Sequence, residues 1–170
     1  MANTYTLIAS NTVGAGGTAQ VDFTSIPQTY TDLLVKTSVN NGTNLDLILM
    51  RFNSNSSSIY TQKVLRGTGS AVASYSNTGW SAATSFGISY TGDTTSTFSN
   101  NEYYIPNYAG SNYKSVSADS AHEANSSTAY LILYAGLFSD TTAITSINLI
   151  SSGSNFAQYS TFYLYGIKNS

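Results

Sequence analysis

Apolar and polar residues alternate with a period of two in several short runs of this chain. Ala19, Val21 and Phe23 alternate with Thr18, Gln20 and Asp22, and Phe86, Ile88 and Tyr90 with Ser85, Gly87 and Ser89. Leu33, Val35 and Val39 share a face opposite Lys36 and Ser38, and near the C-terminus Phe162 and Leu164 alternate with Tyr163 and Tyr165. This period marks strands with one face in a core. Leu45–Phe52 and Tyr130–Phe138 are apolar on both faces, which suits central strands. Tyr5–Ala9 and Thr161–Ile167 are expected to be strands as well. No window carries the apolar period of a helix.

Turn residues separate these runs. Asn41-Gly42 lies between two strand-like runs and predicts a hairpin, because both residues tolerate positive φ. Gly14-Ala15-Gly16-Gly17, Gly67-Thr68-Gly69, Gly92-Asp93 and Ser152-Gly153-Ser154-Asn155 punctuate the rest. Pro27 and Pro106 are expected in turns or at strand starts. About nine to eleven strands at this spacing predict an all-β fold, an antiparallel β-sandwich of jelly-roll type. Residues 66–82 and 91–128 alternate weakly and are rich in Gly, Ser, Thr and Asn, so they are expected as long connections over the top of the sandwich. Asn53–Ser58 reads as a solvated turn. No internal boundary divides residues 1–170, which are expected to form a single β-sandwich domain.

Composition narrows the function classes. Charged residues make up 8% of the 170, against about 25% in an average domain. Polarity comes instead from 28 Ser, 22 Thr and 16 Asn. The six basic residues are spread along the chain, which argues against nucleic-acid binding by counterion release and against a polybasic membrane contact. No run is long and apolar enough for a membrane-spanning helix. Met1-Ala2-Asn3-Thr4 shows no signal-peptide pattern. Without cysteine, neither disulfides nor thiolate metal sites are available.

Candidate chemistry is sparse. The single histidine, His122, follows Asp119-Ser120-Ala121 and precedes Glu123. Neighbours in sequence rarely meet in triad geometry, and no nucleophile-elbow pattern surrounds Ser120. His122 is therefore expected in a loop, exposed or capping. With Asp119 and Glu123 it makes a poor transition-metal set. Gly92-Asp93 lacks the repeated acids of a calcium loop. The glycines of Val13–Thr18 lack the lysine and following helix of a phosphate cradle. Asp46 stands inside an apolar run, as an edge-strand gatekeeper or a buried hydrogen-bonded acid. No pair of carboxylates can be nominated for glycoside hydrolysis. The expectation is a protein that is not an enzyme and holds no cofactor and no metal.

The aromatic residues are more informative. Tyr103, Tyr104, Tyr108 and Tyr113, with Tyr75 and Trp80 earlier, gather in the central part of the chain. Such rings suit three roles: cover of a core or sheet face, a protein interface, or a platform for sugar rings. Trp80, Tyr103, Tyr104 and Tyr108 are the candidate partner-interface residues.

Phe23–Val39 (FTSIPQTYTDLLVKTSV) and Phe162–Ser170 (FYLYGIKNS) resemble segments of structural proteins from tailed bacteriophages, a group that includes capsid decoration (cement), head-fibre and tail-fibre proteins. The resemblance covers the two ends of the chain and leaves its middle unmatched. It implies a virion protein, made in the host cytoplasm. The expected function is decoration of the outer capsid surface, with the major capsid protein and further copies of the chain, as a homotrimer, as partners. The alternative is a fibre or receptor-binding module that recognises a host-surface glycan or protein. The low charge suits either, because neutral contacts depend weakly on salt.

Overall fold

The computed structural model describes residues 4–41, 47–86, 97–123 and 129–168. Among them are twelve strands and no helix: β1 (Tyr5–Thr12), β2 (Gln20–Phe23), β3 (Asp32–Val39), β4 (Leu47–Phe52), β5 (Tyr60–Gly67), β6 (Val72–Trp80), β7 (Ala83–Phe86), β8 (Ser99–Pro106), β9 (Lys114–His122), β10 (Tyr130–Phe138), β11 (Ile147–Ser151) and β12 (Thr161–Ile167). They form two antiparallel sheets. A wide sheet of eight strands runs in the order β1, β12, β3, β8, β9, β10, β5, β6, and a narrow sheet of four runs β2, β11, β4, β7. This is the β-sandwich that the alternation predicts. A simple jelly roll divides eight strands between its sheets, whereas here twelve are divided eight and four.

The core lies between the sheets. Val35, Ile105, Val116, Ile132, Phe162 and Leu164 face inward from the wide sheet, and Val21, Phe23, Ile48, Met50, Ile147 and Leu149 from the narrow one. The layers are joined where Phe52 of β4 meets Phe138 of β10 (ring centroids 5.3 Å apart), which in turn meets Tyr60 of β5 at 4.9 Å. The Tyr60 hydroxyl accepts a hydrogen bond from the Phe52 amide at 3.1 Å and donates one to the Asn55 carbonyl at 3.0 Å. Burial pushes the Tyr60 phenol up from its usual 10 to about 12, and burial raises Tyr134 as well. Both rings fold as neutral phenols. Their contribution is whole below pH 10 and is lost as the pH climbs from 10 towards 12. We therefore expect cooperative unfolding within that window. Ellipticity and tyrosinate absorbance followed together through an alkaline titration should change in one step; tyrosinate forming while the ellipticity persists would contradict it.

Four expectations need correction. The supposed connections at 66–82 and 91–128 contain β6, β8 and β9. Their period of two is present, but neutral polar residues occupy many inward positions, so hydrophobicity does not reveal it. In β9, Lys114, Val116, Ala118, Ser120 and His122 alternate inward. In β8, the inward positions are Ser99, Asn101, Tyr103 and Ile105. Strands therefore number twelve among the described residues alone. His122 is 2% exposed and ends β9, so it is no loop histidine. Finally, Asn41-Gly42 closes no hairpin, because β3 belongs to the wide sheet and β4 to the narrow one. Gly42 itself, like Asp46, Ile88, Tyr90 and Gly92-Asp93, lies outside the described residues.

Other expectations hold. β4 and β10 are internal to their sheets, and the two end strands β1 and β12 pair with each other. Gly14–Gly17 is a turn between β1 and β2. Asn53 does more than occupy a solvated turn. It takes positive φ, its Oδ1 accepts from the amides of Thr145 and Ser146, and its Nδ2 donates to the Ala143 carbonyl at 2.9 Å.

Phe23–Val39 and the C-terminal strand meet in space. β3 and β12 are neighbours, paired from Thr161–Ser38 to Ile167–Asp32. Tyr30, just before β3, lies over Gly166 of β12, where a Cβ would come within 2.3–2.5 Å of its ring carbons. β3, β12 and Tyr30 thus pack together.

Candidate functional site

Alternation along β8 separates two of the four proposed interface residues. Tyr103 points inward and is 2% exposed, whereas Tyr104 points outward at 37%. Tyr108, in the turn after β8, is fully buried and its hydroxyl donates to the Pro27 carbonyl. Tyr103 and Tyr108 are core residues and, as folded, offer no ring to a partner. Trp80 closes β6 opposite Tyr60, half-buried and packed on the core. Tyr104 donates to the Asp32 Oδ2 at 2.8 Å, and this bond first of all raises its phenol pKa. Asp32 also accepts from the Asn107 amide at 2.9 Å, so it holds the turn after β8 against the start of β3.

Asp119 and His122 do not combine. Asp119 faces outward from β9, while Ser120 and His122 face inward, as their odd and even positions require. Among the described residues, no three His, Asp or Glu side chains gather as metal ligands would.

What the structure does assemble is the outward face of the wide sheet. Strand register lays one row across it: Tyr163 of β12, Lys36 of β3, Glu102 of β8, Asp119 of β9, Leu133 of β10 and Leu65 of β5. A parallel row runs through Thr161, Ser38, Asn100, Ala121, Leu131, Gly67 and Val72.

The face divides into two regions. Towards the β6 edge, Leu65, Val72, Leu131 and Leu133 stand in solvent, with Val72 76% and Leu131 64% exposed. They adjoin across strands and form an aliphatic patch that no described residue covers. β6 is an edge strand whose sequence, VASYSNTGW, contains no charge. β1, the opposite edge, has none either. Towards β12, the face is polar and aromatic, and Lys36 and Glu102 form an ion pair at 2.7 Å.

Sequence reasoning identified the outward positions of β3 and β12. It missed those of β8, β9 and the β6 edge, where the apolar period is weak. The exposed leucines of β10 were visible as a second apolar face, although that face is open to solvent and not buried. The chain matches no family model and no curated protein.

Proposed function

We propose that this chain is a non-enzymatic structural protein of a phage virion, a decoration protein that binds the outside of the capsid shell and reinforces it as a homotrimer. The observation that carries the reading is the aliphatic patch of Leu65, Val72, Leu131 and Leu133 beside an uncharged edge strand. Edge strands otherwise need charge, proline, a bulge or a covering element to prevent pairing. The one register shift between β5 and β6 lies at Tyr60–Gln62, leaving Gln62–Gly67 regularly paired beside the patch. Self-association buries both the patch and the edge, and threefold positions of an icosahedral shell favour a threefold ligand. Weak contacts repeated by three copies then hold each trimer to several shell subunits at once. Binding to the assembled shell alone shifts assembly towards it. The resemblance of the paired β3 and β12 segments to tailed-phage structural proteins supports the same reading.

Two measurements test it. Light scattering of the purified protein should give three times the 18.1 kDa chain mass, and Leu131→Lys should release monomer. Particles assembled without the protein should release DNA at a lower temperature than complete ones. A monomer in solution and on the particle would overturn the trimer. Equal release temperatures, or a location at the tail alone, would overturn decoration and favour receptor binding.

A further inference from the structure

The polar end of the wide sheet's outward face is a trough of about 400 Å³ across β12, β3, β8 and β9. Three features distinguish it. The first is where the charge lies. The chain has only 14 charged residues, yet Lys36, Glu102 and Asp119 stand side by side in one row of this face. The second is that Glu102 and Asp119 are register partners on adjacent strands, an arrangement that destabilises a sheet. One lysine, already held by Glu102 at 2.7 Å, does not offset both acids. A local cost to stability of this kind is commonly retained where a site needs it. The third is aromatic. Tyr163 and Tyr165 line the β12 side with rings 6.4 Å apart and 25° from parallel.

We infer that this trough binds a neutral saccharide. A pyranose ring has apolar C–H faces, which suit the tyrosine surface, and a rim of hydroxyls that both donate and accept. Opposite the tyrosines stand acceptors in Glu102 and Asp119, donors in Lys36, and both in Asn100. An anionic ligand meets two carboxylates against one ammonium and is disfavoured. An aliphatic one leaves charged groups unmatched. The trough needs neither a particle nor a trimer, so the inference stands apart from the decoration reading.

The test is a binding screen with purified protein against immobilised neutral hexose and N-acetylhexosamine oligomers, with sialylated and sulfated oligomers alongside. Neutral oligomers should bind, with an affinity that changes little between low and high salt. Asp119→Asn keeps the shape and removes the like-charge pair. It should raise Tm by about 1–3 °C while weakening binding about tenfold. Tyr163→Ser should weaken binding similarly with unchanged far-ultraviolet ellipticity, and Tyr163→Phe should restore it. No binding to any neutral oligomer, binding confined to the sialylated or sulfated ones, or full affinity in Asp119→Asn and Tyr163→Ser would each overturn the inference.

Discussion

Phe138→Ala is expected to destabilise the protein by about 3–5 kcal/mol, among the largest effects available to one substitution. Phe138 is fully buried at the end of β10 and touches both sheets, through Tyr60 on its own layer and Phe52 on the other. Removing the ring opens a void between two rings that cannot both close on it. Tyr60 is tied by its hydroxyl to the Phe52 amide and the Asn55 carbonyl. Phe52 lies on the strand that bears that amide. Because neither neighbour can relax freely, the upper part of the range applies. Denaturant unfolding of the two proteins, with equal slopes, measures the difference. A loss below about 1 kcal/mol would show that the layers are joined elsewhere.

Gly17→Ala should be nearly as damaging, for a different reason. Gly17 has φ +72° in the turn between β1 and β2, a conformation that costs an L-residue about 1–2 kcal/mol. An added Cβ would also lie 2.6 Å from the Phe156 carbonyl oxygen. That oxygen belongs to backbone already fixed by the reciprocal bonds between Thr18 and Phe156, so it cannot swing aside as a side chain would. Strain and collision together predict a loss of about 2–4 kcal/mol. Gly16→Ala is the control. Its φ is +94° but nothing lies within 4 Å of the added Cβ, so it should show the strain alone. Equal losses for the two variants would remove the close approach from the explanation.

The sequence makes strands legible where their buried side is aliphatic or aromatic. β2, β3 and β12 fall into this class, and from them the sandwich follows. β8 and β9 do not, because Ser99, Asn101, Ser120 and His122 occupy inward positions. These polar groups are tolerated inside because partners meet them: Asn101 Nδ2 donates to Thr37 Oγ1 at 3.0 Å and Ser99 Oγ to the Val39 carbonyl at 3.1 Å. Hydrogen bonds of this kind depend on which strands become neighbours, so no local pattern announces them. The saccharide trough illustrates the same limit. Lys36, Tyr163 and Tyr165 are readable as outward positions. That Glu102 stands beside Asp119 follows only from the pairing of β8 with β9. The burial of Tyr103 and Tyr108 was likewise hidden, since tyrosine serves the core and the surface equally well.

The position of β12 between β1 and β3 governs how the chain reaches its native state. Thr12 must find Thr161, and Ser38 must find the same residue from the other side. β1 pairs with β12 alone, so during synthesis it stays without a strand partner, and β3 lacks its partner on that side, until residue 161 and its successors have been made. A topology of such high contact order folds slowly, because loop-closure entropy is spent before the pairing is gained. Throughout that wait β1 and one edge of β3 present unpaired backbone groups to other nascent chains. The interval between the first strand and the last is thus a window for misassociation, and slower production at lower temperature should increase the soluble fraction.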